Sequence, residues 1–277
     1  MTNKSEIIIS SLERKVFGKI DLPLFSRMRI YDPNNKPKGI SYFIRKIGIT
    51  LDDIFHGYLG IPSKGRVSVN LKHGKEEIVP FNARQSAYMA FASRHIFGGY
   101  ENAESLFLEY AIAKSNVFYD IGSNWGYFTI LAATHPKFEG EIYSFDISSE
   151  MNADLTRNLN LLSIDSVKVM GHGLSDKSGF AYGVLDRAAH LSKIFETHHG
   201  TNDFKEFCVW SLDDLNLPSV DLIKVDAEGH ENSIFRGGKR IITDERPLTI
   251  FASSEGTKGG KEGKSCIITG ILCTSFQ

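Results

Sequence analysis

From residue 116 onward the chain alternates short apolar runs with helical stretches, and this alternation constrains the fold more than any other feature. Val117-Phe-Tyr-Asp-Ile reads as a strand, and a helix opens at Tyr127 and runs to Ala133. Glu141-Ile-Tyr-Ser-Phe is a second strand, Met151–Leu162 a helix, and Val167-Lys-Val-Met a third strand. After an irregular stretch over residues 178–210, Val220-Asp-Leu-Ile-Lys-Val is a fourth strand. Glu228–Ile242 is then a helix, and Pro247-Leu-Thr-Ile-Phe-Ala a fifth strand. Strands alternating with helices at these lengths predict an α/β fold, a mostly parallel sheet with helices on both faces. Ligands of such sheets lie at the carboxyl ends of the strands.

The region before residue 100 reads differently. Residues 1–100 hold 16 Lys and Arg against 8 Asp and Glu, whereas residues 101–277 hold 16 against 25. The split predicts a basic N-terminal extension over 1–95, a ligand-binding domain over 96–255 and an atypical tail over 256–277. Within the extension, Arg66-Val-Ser-Val-Asn-Leu, a turn at His73-Gly74, and Glu77-Ile-Val-Pro-Phe predict a hairpin. Residues 84–113 read as helical. Leu51, Ile54, Phe55 and Tyr58 recur at helical spacing. Such a face ordinarily packs on its own domain, and docking on a partner or a lipid surface is the alternative. With a net charge of -1, the chain as a whole lacks the uniform basicity of a bulk nucleic-acid binder. Three cysteines without a CxxC pair fit neither a disulfide framework nor a zinc ribbon. Together with an N-terminus that lacks a signal-peptide pattern and the absence of a membrane-length apolar run, they lead us to expect a cytoplasmic protein.

The segment Asp120-Ile-Gly122-Ser-Asn124-Trp-Gly126 joins the first strand to its helix. Glycines there let a ligand approach the backbone closely. Two glycines rather than three depart from the dinucleotide fingerprint, and Asp120 at the turn opposes a pyrophosphate. A cationic ligand suits it better. S-adenosylmethionine carries an ammonium and a sulfonium and no phosphate. Asp146 ends the second strand, where an acid can accept both hydroxyls of a ribose. Asp176 is expected to follow the third strand, where it can read an adenine amino group.

The fourth strand carries a cation where a central parallel strand should be apolar. Lys224 and Asp226 share a face by the period of two, and Glu228, His230 and Glu231 follow at once. Lys224, Asp226 and Glu228 are therefore the candidate catalytic groups. The alternative is a lysine neutralised by structural carboxylates, with Glu231 favouring a helix start. Asp226, Glu228 and His230 offer oxygen and imidazole ligands, but their spacing is not diagnostic of a metal site, and no metal is expected.

The run Phe118-Tyr-Asp120-Ile-Gly122-Ser-Asn124-Trp-Gly126-Tyr-Phe resembles the first motif of FkbM-type methyltransferases. Ser211-Leu-Asp213-Asp-Leu, Asp221-Leu-Ile-Lys224-Val-Asp226-Ala-Glu228-Gly229-His-Glu231 and Arg246-Pro247 also fit that family. The resemblance covers roughly residues 95–252. It implies a class I, Rossmann-like methyltransferase fold and S-adenosylmethionine as donor. The acceptor it implies is usually an oxygen, often on a sugar or natural product. Asp120, Gly122, Asn124, Gly126 and Asp146 would hold the donor, with Asp176 near adenine. The family's Glu-Pro after the second strand is Asp146-Ile147 here. After the fifth strand the polar run over residues 256–264 replaces a further helix and an antiparallel strand pair. The sheet is therefore expected to be incomplete at its C-terminal strands, with Ile267-Ile-Thr-Gly-Ile-Leu able to fold back as one replacement strand. An exposed sheet edge would invite self-association. The acceptor is expected to be a small molecule or glycan, anionic in view of the basic extension. The alternatives are a donor-binding domain with impaired catalysis and a nicotinamide-dependent oxidoreductase.

Overall fold

The computed structural model describes residues 15–22, 38–59, 61, 64–82, 91, 100–185, 191–195, 205–227, 229–253 and 265–269. The chain divides into two compact units, Met1–Leu106 and Phe107–Gln277. In the first, β1 (Phe17–Asp21) is followed by helix α1 (Ile40–Asp52), which runs into a π-helical segment, Asp53–Tyr58. The strands β2 (Lys64–Asn70) and β3 (Glu76–Asn82) then form the expected hairpin, with Val67 opposite Val79 and Val69 opposite Glu77. Gly74 turns it at φ +77°, a conformation open to glycine. β1 pairs antiparallel with the other edge of β2, giving the order β1-β2-β3. Val67, Val69, Val79 and Phe81 are buried. The apolar face expected to pack inward does not do so throughout: Ile54 and Tyr58 are exposed.

Helix α2 (Asn102–Ile112) leads to a six-stranded sheet. The elements are β4 (Val117–Ile121), α3 (Tyr127–Ala133), β5 (Glu141–Phe145), α4 (Ser149–Leu162) and β6 (Val167–Val169). After them come β7 (Gly173–Ser175), β8 (Gly179–Leu185), β9 (Leu191–Phe195), β10 (Lys205–Ser211) and β11 (Leu222–Val225). Helix α5 (Glu231–Gly237), a π turn at Ile241–Glu245, β12 (Leu248–Ser253) and β13 (Ser265–Thr269) complete the described chain. The sheet order is β13-β12-β11-β4-β5-β6, with five parallel strands and an antiparallel β13. The C-terminal segment thus adds one strand on the edge of β12, with Ile267 opposite Phe251. The polar run over 256–264 and most of residues 84–101 of the helix expected over 84–113 lie outside the described residues, and Asn102–Ile112 of it is helical.

Alternation along β4 and β11 sorts their side chains to two faces. Tyr119, Ile121, Ile223 and Val225 join Ile234 and Phe235 of α5 in one apolar core. Tyr119 meets Tyr143 edge-on at 5.5 Å between ring centroids, and its hydroxyl donates to the Pro218 carbonyl. Phe118, Asp120, Leu222 and Lys224 take the opposite face by the same period of two. Helix α4 buries Met151, Leu155, Leu159 and Leu162 at three- and four-residue spacing. Its first turn is capped by the Ser148 hydroxyl, which accepts the Met151 N–H.

The described part of residues 178–210 does not form the irregular stretch read from sequence. It supplies β8, β9 and β10, which join β7 in a second sheet of order β7-β10-β8-β9. The helix read over Glu228–Ile242 is also shorter. It is α5 followed by the π turn, because Asp213 takes hold of the chain between them. Its carboxylate accepts the N–H groups of Arg240 (2.8 Å) and Ile241 (3.0 Å). No helix among the described residues is long and apolar enough to cross a membrane.

Removing that anchor leaves two amides without an acceptor. Asp213→Ala is expected to cost about 1–2 kcal/mol and lower the melting temperature by roughly 3–8 °C in thermal unfolding, with Asp213→Asn milder.

Candidate active site

The loop between β4 and α3 is built from its own backbone. Gly122 (φ +77°) turns the chain beneath the end of β11, and a Cβ there would lie 1.9 Å from the Asp226 carbonyl oxygen. Gly126 (φ +96°) opens α3, and a Cβ there would lie 2.3 Å from a Leu155 methyl. Asn124, at φ +49°, holds the left-handed conformation between them. Five consecutive loop amides are bonded within the protein. Gly122 and Ser123 donate to the Phe145 carbonyl (2.9 and 3.0 Å), and Gly126 donates to that of Ser123 (2.9 Å). Asn124 donates to the Asp146 carboxylate, and Trp125 to the Asn124 side-chain oxygen, both at 2.8 Å.

Asp146 is half-buried at the end of β5. One of its oxygens receives the Asn124 amide and the other that of Ser148 at 2.8 Å. The acid therefore fixes the glycine loop and the entry to α4 together. A carboxylate oxygen can accept more than one hydrogen bond.

Asp120 is fully buried under the loop, directly opposite Lys224 in the parallel β4–β11 register. Burial pushes its carboxyl pKa up, while the Lys224 charge and the Thr129 hydroxyl pull it back down. Thr129, on the first turn of α3, donates to Oδ2. Oδ1 is buried with no hydrogen-bond partner among the described residues. Lys224 is only 4% exposed, with its ammonium 4.5 Å from the centre of the Phe128 ring and 3.7 Å from Asp226 Oδ2. Asp226 is half-buried, and its amide continues the sheet by donating to Ile121 (2.9 Å).

The structure thus gathers Asp120, Gly122, Asn124, Gly126, Asp146, Lys224 and Asp226 at the carboxyl ends of β4, β5 and β11. Asp176 lies at the end of a different strand. It follows β7, in the second sheet, and its carboxylate turns to Arg236 of α5 at 3.9 Å. The shift arises because Gly171 (φ +67°) breaks the chain between β6 and β7, so the third strand ends before the acid is reached. Glu228 lies outside the described residues. Glu231 acts structurally, because its carboxylate accepts the amides of Ala227 (3.1 Å) and Gly229 (3.0 Å) and so braces the loop after β11. His230 Nε2 meets the Ser175 hydroxyl at 3.0 Å. Among the described residues no group of three could hold a metal ion.

The sequence profile of the Methyltransferase FkbM domain matches residues 100–266. The chain belongs to the FkbM methyltransferase family. No curated protein matches this family member. Solved structures do. Methyltransferase FkbM from Methylobacillus flagellatus KT is 17% identical, over 60% of this chain and 43% of that one, with a TM-score of 0.38. An O-methyltransferase from Bacillus cereus in complex with SAH is 14% identical, over 61% and 64%, at 0.37. A SAM-dependent methyltransferase from Aquifex aeolicus is 16% identical, over 57% and 68%, at 0.34. The chain spans less than two thirds of the length of the first of these FkbM and O-methyltransferase structures. The fold is the class I methyltransferase fold, and S-adenosylmethionine is the donor of this FkbM family.

The residues present fit that donor. The carboxylates at the strand ends are acceptors for an ammonium or for hydroxyls, and the loop's amides already have partners. Thr129, Phe128 and Ser144, whose hydroxyl bonds that of Ser123 at 2.7 Å, were not legible as site residues in the sequence. Their only signal is position: Thr129 stands three residues after Gly126, on the first helical turn.

Two consequences can be measured. Lys224→Ala leaves Asp120 buried beside Asp226 with no cation, and is expected to cost about 3–5 kcal/mol in denaturant unfolding. Adding Asp120→Asn should recover part of that loss. Burial lowers the His230 pKa from 6.5, with Asp176 and Glu231 opposing the shift, and burial lowers that of His172 as well. The folded state therefore binds fewer protons than the unfolded one. The contribution is whole above the unfolded value and is lost as pH falls through the folded value. Stability is expected to decline on acidification below about 6.5, and His230→Gln should remove part of that decline in melting curves recorded across pH.

Proposed function

We propose that this FkbM-family protein transfers a methyl group from S-adenosylmethionine to a hydroxyl oxygen on a glycan or secondary metabolite. One observation carries the donor reading. The loop that would cradle a phosphate in a dinucleotide-binding protein has its five amides bonded internally, and acidic side chains stand around it. That arrangement suits a ligand with cationic groups and ribose hydroxyls and disfavours a pyrophosphate.

When bound, the donor supplies an electrophilic methyl on its sulfonium. Asp146 accepts the ribose hydroxyls, since a carboxylate oxygen can accept more than one hydrogen bond. Asp120, fully buried, acts through the field of the Asp120–Lys224 pair rather than by direct contact. Lys224, neighbour to both Asp120 and Asp226, orients the Asp226 carboxylate. Asp226 takes up the proton of the acceptor hydroxyl, and Glu228 is the alternative for that role. Much of the rate then comes from holding the acceptor oxygen in line. The positive balance of residues 1–100 favours an anionic acceptor.

Calorimetric titration with S-adenosylhomocysteine and with NAD tests the donor reading; binding of NAD alone would overturn it. A radiolabelled methyl-transfer screen on cell extracts tests the reaction. Homocysteine-product binding without transfer to any acceptor would favour a donor-binding domain with impaired catalysis. Asp146→Ala is expected to weaken S-adenosylhomocysteine binding by about 1–3 kcal/mol, roughly five- to a hundredfold in Kd. The same titration on the variant checks it, and Asp146→Asn should lose less.

A further inference from the structure

A helix on a protein surface normally turns its apolar stripe inward. Helix α1 does the reverse. Ile40, Phe43, Ile44 and Ile47 recur at the spacing that forms one stripe, and they are 80%, 63%, 47% and 40% exposed. Gly48, on another side of the helix, is buried, and Arg45 and Ile49 are half-buried. The exposed apolar surface continues past the helix through Ile54, Tyr58 and Leu59. Of the fourteen large apolar side chains exposed among the described residues, nine lie between Ile40 and Ile61. Isolated exposed apolar residues are ordinary, but a concentration of this kind marks a binding surface.

The charges beside the stripe identify what it meets. Lys38 and Lys46 are exposed, and no acidic residue occurs from Lys38 to Leu51. Tyr42 and Tyr58, 53% and 82% exposed, present amphipathic rings suited to a boundary between water and hydrocarbon. Thirteen residues are too few to span a bilayer but enough to lie along its surface. Lys38 and Lys46, with no acid between them, complement an anionic bilayer. We propose that α1 is an interfacial helix that docks the protein on anionic lipid, with the Ile40–Ile47 stripe among the acyl chains and Lys38 and Lys46 at the headgroups.

Flotation of the full chain with phosphatidylcholine vesicles, with and without phosphatidylglycerol, tests this independently of any methyl transfer. Binding to the vesicles containing phosphatidylglycerol, weakened by salt, is expected. Phe43→Ser combined with Ile47→Ser should weaken it about tenfold or more. Lys38→Glu and Lys46→Glu should each weaken it about fivefold or more, with the melting temperature unchanged in all variants. Absence of binding to the anionic vesicles, or binding unaffected by either class of variant, would overturn the proposal. So would a dimer in light scattering that Phe43→Ser with Ile47→Ser abolishes, since the face would then belong to a second copy.

Discussion

Asp120 and Lys224 stand opposite each other in adjacent parallel strands, at the centre of the sheet and away from water. Two such groups are costly to bury singly and tolerable only together. The rest of the site is arranged around making them so. Thr129 reaches down from α3 to Asp120, Phe128 lays its ring beneath the ammonium, and Asp226 draws the lysine toward the strand end. The sheet register and the placement of α3 are thereby tied to one electrostatic arrangement. A one-residue slip between β4 and β11 would turn either charge into the apolar core on the opposite face.

The glycine loop rests on this base. Gly122 lets the chain pass against the Asp226 carbonyl, so the two candidate segments of the site meet through backbone as well as side chains. Asp146 then joins the loop to the start of α4. The acids around the loop thus differ in kind. Asp120 is a buried partner of a lysine, Asp146 a half-buried brace, and Asp226 the end of an ion pair at the strand mouth.

How much of this was legible in the sequence depended on local contrast. Lys224 stood out because an apolar strand has no other reason to carry a cation, and its sharing of a face with Asp226 followed from the period of two. The Asp120–Gly126 loop was legible from its glycines, and the hairpin from its alternation and Gly74. The second sheet was not, because β7 has three residues and β8 is interrupted by Gly183, so neither sustains a pattern. Asp176 was attached to the preceding strand for the same reason: a strand of three residues after Gly171 looks like the tail of the strand before it. Thr129 and the bracing role of Glu231 gave no signal, because each acts through hydrogen-bonded targets that the sequence does not mark. The face of Leu51, Ile54, Phe55 and Tyr58 was legible as a periodicity, but periodicity carries no direction, and the outward stripe of α1 before it was not read.

The internal bonding of the five loop amides also bears on the thermodynamics of recognition. A loop that is ordered before its ligand arrives loses little conformational entropy on capture, and little backbone is left to rearrange. Association with the donor then has the character of lock and key. Its heat-capacity change comes from the surface the ligand covers and not from coupled folding.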